Sequence, residues 1–308
     1  MTIDAQANLR SLRDVLRYAV TRFNERPIFF GHGQLDAFDE AAFLVTRALK
    51  LPFERMEMFL DAFLTHAEIN TLIELVERRV KKRVPVAYLL GEAWLQGYRF
   101  QVDSRVIIPR SFIAELLKDR LSPWIADPAT VRSVLDLGTG SGCLAVIAAD
   151  VFPGAEVDAV DISVDALAVA AHNVEEYGLS DRVRTIESDL FETLGSSRYD
   201  LILCNPPYVT DDALAKLPHE YSHEPTLALA GGPDGLDLVR RVVAMAHAHL
   251  NEQGLLVVEV GDGRAAFERE YPRLPVIWAT TSAGDDMVLI ARGADLPAQS
   301  STMRSAAA

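Results

Sequence analysis

The chain has 308 residues, enough for one full α/β domain and a smaller companion domain. Apolar residues make up 49% of the chain, so it can bury a sizeable core. Acidic side chains outnumber basic ones by 44 to 30, and the formal net charge of −14 argues against dominant binding to free nucleic acid and favours a basic protein partner.

Residues 1–83 are predicted to form a small helical domain that helps to recognise the substrate. Apolar residues recur at spacings of three and four over residues 12–23 and 69–80, which is the pattern of an amphipathic helix. Thr65 and Glu68 have the spacing of a capping box, which starts the later helix. The helix ends in a run of basic residues: Arg78, Arg79, Lys81, Lys82 and Arg83. Basic side chains there interact favourably with the negative end of the helix dipole, and the run is expected to face solvent. Contact with nucleic acid is the alternative.

Residues 84–108 have a different character. They contain β-type side chains and two turn glycines, Gly91 and Gly97, which predicts a β-hairpin linker. Pro109 ends this segment, and an amphipathic helix is predicted to begin near Ser111.

Strands and helices alternate within residues 109–292, which predicts an α/β domain whose mostly parallel sheet carries helices on both faces. Six segments have the composition of strands: 131–138, 156–163, 182–189, 199–207, 254–261 and 285–292. Helices are predicted between them, at 143–152, 164–178 and 236–250. The tail, 293–308, is small, polar and aperiodic, so it is predicted to be disordered.

A glycine loop follows the first of these strands. In the run VLDLGTGSG, Asp136 precedes Gly138, Gly140 and Gly142. Glycines allow the backbone to approach a ligand closely, and the helix that follows presents free N–H groups. An ordinary strand–helix turn and a dinucleotide-binding loop are alternatives. The glycine spacing is G-x-G-x-G rather than G-x-G-x-x-G, and Asp136 precedes the first glycine. An acidic residue at that position would repel a pyrophosphate but could hold a methionine ammonium. Both details favour S-adenosylmethionine as the ligand.

Two further acidic residues end the next two strands. Asp161 could accept both ribose hydroxyls of a nucleoside, or it could cap the following helix. Asp189 could accept the amino group of adenine while Leu190 packs on the ring, or it could simply begin a loop.

The fourth strand ends in Asn205-Pro206-Pro207-Tyr208. The two prolines stop the strand, fix the backbone and remove two N–H donors. What remains is a group of acceptors, the Asn205 side-chain oxygen and the proline carbonyls. They can hold both hydrogens of a planar NH₂ group and turn its lone pair toward a methyl donor, while Tyr208 could stack on the amide. A plain strand-ending turn is the alternative.

The cysteines and histidines predict no metal site. Cys143 and Cys204 lie in apolar runs, and His219 and His223 lack a third ligand at a suitable spacing. The cysteines are expected to be reduced and buried. The chain start lacks the features of a signal peptide, and no apolar run approaches the roughly 20 residues of a membrane-spanning helix, so a cytoplasmic protein is expected.

Together these segments resemble the protein-glutamine methyltransferases, which act on release factors and on a ribosomal protein. The glycine loop and NPPY occur in amino-methyltransferases generally, including those that act on adenine in DNA. Longer stretches are similar to the branch that methylates a glutamine of the third large-subunit ribosomal protein: RFNERPIFFGHG, RVPVAYLLGEAWLQGYRFQVD, VIIPRSFIAELL and LPHEYSHEPTLALAGGPDGLDL. The similarity extends from about residue 10 to 292.

The resemblance implies a class I, Rossmann-like methyltransferase with a seven-stranded sheet, S-adenosylmethionine as methyl donor, no metal, and a basic ribosomal protein as partner. It implies that the cofactor is held by Asp136, Gly138, Thr139, Gly140, Gly142, Asp161, Ile162, Asp189, Leu190 and Asn205. It implies that the glutamine amide meets Asn205, Pro206, Pro207 and Tyr208, of which Asn205, Pro206 and Tyr208 serve catalysis. Glu224, in the EYSHEP segment, could line the substrate channel or brace its loop.

Four other functions are compatible with parts of the sequence. A release-factor glutamine methyltransferase would share the chemistry, but its N-terminal domain differs from residues 10–33 here. An adenine amino-methyltransferase on DNA or RNA would need a basic channel and base flipping, which the acidic charge disfavours. A non-catalytic assembly factor would not need an intact NPPY. A Rossmann dehydrogenase is disfavoured by the glycine spacing and Asp136.

Overall fold

The computed structural model describes residues 8–298, which form two compact units. The helical unit comprises residues 8–93, Val102–Ser104 and Leu217–His223. The sheet unit comprises Trp94–Gln101, Arg105–Lys216 and residues 224–298. The helical unit therefore includes a segment, Leu217–His223, that lies far from the predicted N-terminal domain in the sequence.

The helical unit is built around the apolar faces of its helices. These are α1 (Leu12–Asn24), α2 (Ala37–Ala48), α3 (His66–Lys82) and α4 (Val86–Leu90), with a 3₁₀ turn at Phe53–Phe59. The core that they share includes Leu12, Phe23, Leu44, Leu72 and Val76. Burial at intervals of three and four residues along α1 and α3 confirms the amphipathic pattern.

The capping box at the start of α3 forms as predicted. The Thr65 hydroxyl accepts the Glu68 N–H at 3.3 Å, and Glu68 Oε2 accepts the Thr65 N–H at 2.7 Å. Two backbone donors that a helix start leaves unpaired are thereby satisfied.

The basic run at the end of α3 divides between core and surface, so the prediction that the whole run is solvated was wrong. Arg79 is 0% exposed, and its guanidinium donates to Glu40 at 2.6 Å and to Glu220 at 3.0 Å. Arg83 also donates to Glu220, at 2.7 Å. A helix places residues four apart on one face, so Arg79 and Arg83 reach the same buried carboxylate. These two guanidiniums are engaged inside the unit and are not offered to nucleic acid.

The segment predicted as a hairpin linker begins with a short helix. Residues 86–90 form α4, and the hairpin is confined to β1 (Glu92–Leu95) and β2 (Tyr98–Gln101). Pro85 precedes the helix, and Gly91 ends it in the left-handed conformation with φ +71°. A proline before a helix and a glycine after it are start and stop signals that outweighed the β-type side chains between them.

A seven-stranded sheet organises the second unit, which confirms the predicted α/β class. The strands are β3 (Ser133–Leu137), β4 (Glu156–Asp161), β5 (Val183–Glu187), β6 (Tyr199–Cys204), β7 (Leu250–Glu259), β8 (Ile277–Thr281) and β9 (Gly284–Arg292). They lie in the order β5-β4-β3-β6-β7-β9-β8. The first five are parallel, whereas β9 is antiparallel to both β7 and β8. The six predicted strands are all present, and β8 is the one that the sequence pattern missed.

The strand order reverses direction at β3. This strand pairs with β4 on one side and with β6 on the other. In open parallel sheets, ligands bind beyond the carboxyl ends of the strands at such a switch point. The glycine loop follows β3, and NPPY follows β6, so the topology brings both motifs to the same edge.

Helices and short turns complete the sheet unit. The helices are α5 (Ile113–Lys118), α6 (Cys143–Val151), α7 (Val164–Glu176), α8 (Asp211–Leu214), α9 (Asp237–His249) and α10 (Arg264–Glu270). Helix α6 is buried from Cys143 to Ala149, which matches its continuous run of apolar residues. Cys143 and Cys204 are free and buried, as predicted, and burial raises the pKa of the Cys143 thiol to about 12.

Ordered structure continues past residue 292, where the disordered tail was predicted to begin. Gly293–Asp295 forms a 3₁₀ turn, and Leu296 is buried in the core of the sheet unit. Burial of Leu296 and a hydrogen bond between His247 Nδ1 and the Gly293 carbonyl hold this turn against the sheet unit. The rest of the predicted disordered tail, 299–308, lies outside the described residues. Between residues 8 and 298, no helix is long and apolar enough to cross a membrane.

Candidate active site

A cavity of about 260 Å³ lies in the sheet unit at the carboxyl ends of β3, β4, β5 and β6. Eight of the predicted site residues line it: Gly138, Gly140, Asp161, Ile162, Asp189, Leu190, Asn205 and Pro207. Six others lie outside its lining: Asp136, Thr139, Gly142, Pro206, Tyr208 and Glu224. The structure thus joins the two motifs in one cavity and gives several of the remaining residues supporting positions.

The loop after β3 has a backbone that requires glycine. Gly138, Gly140 and Gly142 have φ values of +69°, +56° and +78°. A Cβ at Gly142 would also lie 3.1 Å from the Ala170 Cβ. Side chains are disfavoured in this conformation, so the three glycines let the loop turn tightly beside the cavity.

Asp136 lies buried beneath this loop. Its Oδ2 accepts the Thr139 hydroxyl at 2.6 Å and the Ala145 N–H at 3.1 Å. Its Oδ1 is buried and has no hydrogen-bond partner among residues 8–298. Burial raises the pKa of this carboxyl to about 7, and the nearby negative charge of Asp161 acts in the same direction. An unpaired buried oxygen is costly, which points to a ligand that donates to it.

Asp161 links the glycine loop to the turn before α7, and its binding of ribose stays a prediction. Its Oδ1 accepts the Ser163 N–H at 2.9 Å, in the turn that leads to α7, and Ser163 is the N-cap of that helix. Its Oδ2 accepts the Gly140 N–H, also at 2.9 Å, and so ties the carboxylate to the glycine loop. Burial raises the pKa of Asp161. Each carboxylate oxygen has a second lone pair that a ligand hydroxyl can use.

Asp189 has a partner that sequence reasoning missed. The Arg241 guanidinium on α9 lies 2.9 Å from Asp189 Oδ2, and both side chains line the cavity. Leu190, the next residue, is buried and has a φ of +52°, which is uncommon for a leucine. Leu190 therefore has an uncommon backbone conformation, and Asp189 is paired with a cation; their binding of adenine stays a prediction.

Asn205 follows the last residue of β6. Its Oδ1 is buried and has no hydrogen-bond partner among the described residues. Pro206 and Pro207 come next and contribute no N–H groups. The end of β6 therefore offers acceptors without matching donors, in the wall of the cavity. The unpaired Asn205 Oδ1 is one of the acceptors that the NPPY motif predicted, and its binding of an amide stays a prediction.

Tyr208 is held away from the lining. Its hydroxyl donates to Glu259 Oε1 at 3.0 Å, and its ring lies against Gly261, where a Cβ would be 2.6 Å from Tyr208 Cδ2. Glu259 was not predicted as a functional residue. A single carboxylate in the otherwise apolar strand GLLVVEVG was the available signal, because a buried charge requires partners.

Glu224 braces its own loop. Arg110 donates to both of its carboxylate oxygens, at 2.6 and 2.7 Å, and the Ile108 N–H donates to Oε1 at 2.9 Å. The Glu224 side chain is fully buried in this arrangement. Of the two roles left open for Glu224, bracing agrees with these contacts, and contact with substrate stays a prediction.

The residues fit S-adenosylmethionine in several respects. Two buried acceptors, Asp136 Oδ1 and Asn205 Oδ1, have no partner among residues 8–298, and a glycine loop borders the cavity. Within the same residues, no group of three or more His, Cys, Asp or Glu side chains could hold a metal ion. The fold and the site together define a class I methyltransferase that uses S-adenosylmethionine.

Two known protein families match separate segments of the chain. The family described as Methyltransferase small domain matches residues 114–220. The family described as PrmC N-terminal domain matches residues 14–91, within the helical unit.

Relatives of the whole chain narrow the class. The ribosomal protein uL3 glutamine methyltransferase of Bordetella pertussis is 52% identical and covers 92% of this chain and 95% of its own length. The enzyme of that name from Neisseria meningitidis serogroup A is 51% identical and covers 93% and 94%. The chain belongs to the family of ribosomal protein uL3 glutamine methyltransferases, which confirms the resemblance found in its sequence.

Among solved structures, the hMettl16 catalytic domain in complex with MAT2A 3′UTR hairpin 6 is similar with a TM-score of 0.50. It is 18% identical and covers 73% of this chain and 81% of that one. At this level of identity the likeness shows a shared fold.

Proposed function

We propose that this chain transfers a methyl group from S-adenosylmethionine to the side-chain amide nitrogen of a glutamine in ribosomal protein uL3, the third protein of the large subunit. The observation that carries the proposal is the buried, unpaired Asn205 Oδ1 in the cavity wall beside the glycine loop. The names of the relatives, which cover nearly the whole chain, support the choice of substrate.

The acceptors after β6 suit an amide. An amide nitrogen is a poor nucleophile because its lone pair is delocalised into the carbonyl. Asn205 Oδ1 and the Pro206 carbonyl would accept its two hydrogens and so direct the lone pair toward the methyl donor, while Pro207 and Tyr208 shape the surroundings. Bound S-adenosylmethionine supplies an activated methyl group on a sulfonium. Much of the rate would come from orientation, and water can take the proton after transfer.

The cofactor would be held along the carboxyl ends of β3, β4 and β5. Asp136 Oδ1 would accept a hydrogen bond from the methionine ammonium, while the Thr139 hydroxyl donates to Asp136 Oδ2 and fixes the carboxylate. Asp161 would accept the ribose hydroxyls beside Ile162. Asp189 and Leu190 would bind adenine.

A basic partner fits the distribution of charge. Residues 94–308 carry 31 acidic and 17 basic side chains, whereas residues 1–93 carry 13 of each. The part of the chain that contains the cavity therefore carries the whole net charge of −14. A ribosomal protein rich in lysine and arginine would be attracted to it over long range. Ribosomal proteins are made and assembled in the cytoplasm, so we propose that the enzyme acts there.

The test is transfer of label from methyl-labelled S-adenosylmethionine to purified uL3, a release factor and DNA, followed by mass-spectrometric mapping. We expect label on a glutamine side chain of uL3 only. Label on the release factor would keep the chemistry but contradict the substrate. Label only on DNA would contradict both.

A further inference from the structure

A fully buried carboxylate, Glu259, ends strand β7 next to the transfer site. Strands β6 and β7 are parallel, with Cys204 paired to Val258. Asn205 and Glu259 are therefore the next residues on two neighbouring strands. No role in methyl transfer follows for Glu259 from the motifs in the sequence.

Each oxygen of Glu259 has a donor. Oε1 accepts the Tyr208 hydroxyl at 3.0 Å. Oε2 accepts the Ser111 hydroxyl at 2.7 Å and the Phe112 N–H at 2.9 Å. Burial raises the pKa of this carboxyl, while the three hydrogen bonds and the nearby Arg110 favour its charged form. A buried carboxylate persists only when it is satisfied in this way.

Tyr208 is fixed at a second point. Gly261 has a φ of +53°, and a Cβ there would lie 2.6 Å from Tyr208 Cδ2. The ring therefore occupies space that only glycine leaves open. With its hydroxyl on Glu259 and its edge on Gly261, the tyrosine has little freedom to rotate.

We propose that Glu259 is a positioning residue for methyl transfer, which holds the Tyr208 hydroxyl and so fixes the ring and the acceptors of NPPY in one orientation. Glu259 itself does not line the cavity. It acts through Tyr208, and the inference rests on the proposed function because it concerns the same transfer. A purely structural carboxylate would stabilise the fold but leave turnover unchanged.

The experiment is a double-mutant cycle with Tyr208→Phe, Glu259→Gln and the double variant. Steady-state methylation gives kcat and KM, calorimetry gives the cofactor Kd, and thermal unfolding gives Tm. We expect each single change to lower kcat about tenfold, as the loss of one charge-assisted hydrogen bond can do, with the cofactor Kd within about twofold. The double variant should be no slower than the slower single variant, because both changes remove one interaction.

A matched control is available in the same unit. The Tyr199 hydroxyl donates to Asp158 Oδ2 at 2.7 Å, and Tyr199 begins β6 at the strand end opposite Asn205. Tyr199→Phe removes the same kind of bond and should lower Tm while leaving kcat within about twofold. Tyr208→Phe keeps the other two donors of Glu259, so it tests the inference even if Glu259→Gln unfolds.

Three results would overturn the inference. The first is wild-type kcat in folded Tyr208→Phe or Glu259→Gln. The second is single effects that multiply in the double variant, and the third is an equal loss of kcat in Tyr199→Phe. The wild-type enzyme is first assayed on the substrate panel. If an acceptor other than uL3 takes the label, a coupled cycle with that acceptor supports the role of Glu259 while the proposed substrate fails.

Discussion

The buried charges of the helical unit and the buried acceptors of the candidate active site differ in whether they have hydrogen-bond partners. In the helical unit, Arg79 is fully buried but donates to Glu40 and Glu220, and Arg83 adds a further bond to Glu220. In the sheet unit, one oxygen of Asp136 is buried without a partner among residues 8–298. The Asn205 side-chain oxygen shares that state.

The difference separates stability from function. A buried charge that is fully paired contributes to one defined packing, and removing a partner is costly. A buried acceptor without a donor lowers the stability of the free protein, so it is explained best by a ligand that supplies the donor. Substitutions in the charge network of Arg79 should therefore lower stability, whereas substitutions at the candidate active site should lower turnover or cofactor affinity.

The largest effect is expected in the helical unit. Arg79→Met leaves Glu40 buried without its guanidinium partner and removes one of the two guanidiniums that bind Glu220, and loss of one member of a buried ion pair typically costs about 3–5 kcal/mol. We expect the free energy of unfolding, measured with denaturant, to fall by about that amount. Arg78→Met, one residue earlier on the same helix, is the matched control and should change it by less than about 0.5 kcal/mol.

If Arg79→Met has the same free energy of unfolding as the wild type, the buried ion pairs make no net contribution to stability. The argument that paired buried charges serve stability would then be wrong. Substituting Glu220→Gln tests the same network from the other partner. It should also destabilise, because Arg79 and Arg83 both lose a charged acceptor.

Asn205→Ala should lower turnover without lowering stability. Turnover is expected to fall by roughly 10²-fold or more, as loss of one oriented polar group at a reaction centre typically does. The cofactor Kd should stay within a few-fold, and Tm should not fall, because the side-chain oxygen has no partner to lose in the free protein. Asn251→Ala, near the start of β7 and away from the carboxyl ends of the strands, is the control and should leave turnover unchanged. Full activity of Asn205→Ala would refute the amide-positioning argument.

Asp161→Ala should act on the cofactor first. It removes the acceptor of the Gly140 N–H and the proposed acceptor of the ribose hydroxyls. We expect the cofactor Kd, measured by calorimetry, to rise about tenfold, as the loss of a hydrogen bond to a charged group would cause. A larger effect on kcat at saturating cofactor would indicate that Asp161 serves the transfer step.

The smallest effect is a pH dependence of cofactor binding. In the free protein, burial raises the pKa of Asp136 to about 7, so below that pH the carboxyl is mostly protonated. Binding a methionine ammonium to the carboxylate then releases a proton, and the affinity should fall by up to about tenfold per unit as the pH drops below 7. Calorimetry between about pH 8 and 6 measures this, and Asp136→Asn should remove the slope.

The same shift has a consequence for the stability of the cofactor-free protein. An aspartate in the unfolded chain ionises near pH 4, about three units below buried Asp136. The stability contributed by the protonated group is present below about pH 4 and is lost as the pH rises toward 7. Cofactor binding should reverse that loss.

Most of the fold was readable from local patterns. Strand–helix alternation predicted six of the seven strands, and Thr65 and Glu68 marked the start of α3 correctly. The missed strand, β8, is a five-residue segment beside the antiparallel edge, where its pairing with β9 decides its structure. In α4, the terminal signals of Pro85 and Gly91 prevailed over side chains that favour strands.

The motifs of the site could also be predicted from the sequence, but the distant residues that hydrogen-bond to buried charges could not. Asn205 and the glycine loop lie in short contiguous motifs with a chemical meaning. The partners Arg79 and Glu220 are separated by 141 residues, and Glu259 lies 148 residues from Ser111. A sequence displays a charged residue in an apolar stretch, but only the fold determines which distant donor reaches it.

The segment Leu217–His223 also sets an order for biosynthesis. Arg79 leaves the ribosome long before Glu220 is synthesised, so the helical unit emerges with one of its buried charge partners missing. Contacts between parts of a chain that are far apart in sequence form late and slowly. The N-terminal helices can collapse early, but their charge network closes only after most of the sheet has been translated. A fragment that ends at residue 93 would retain that incomplete state permanently.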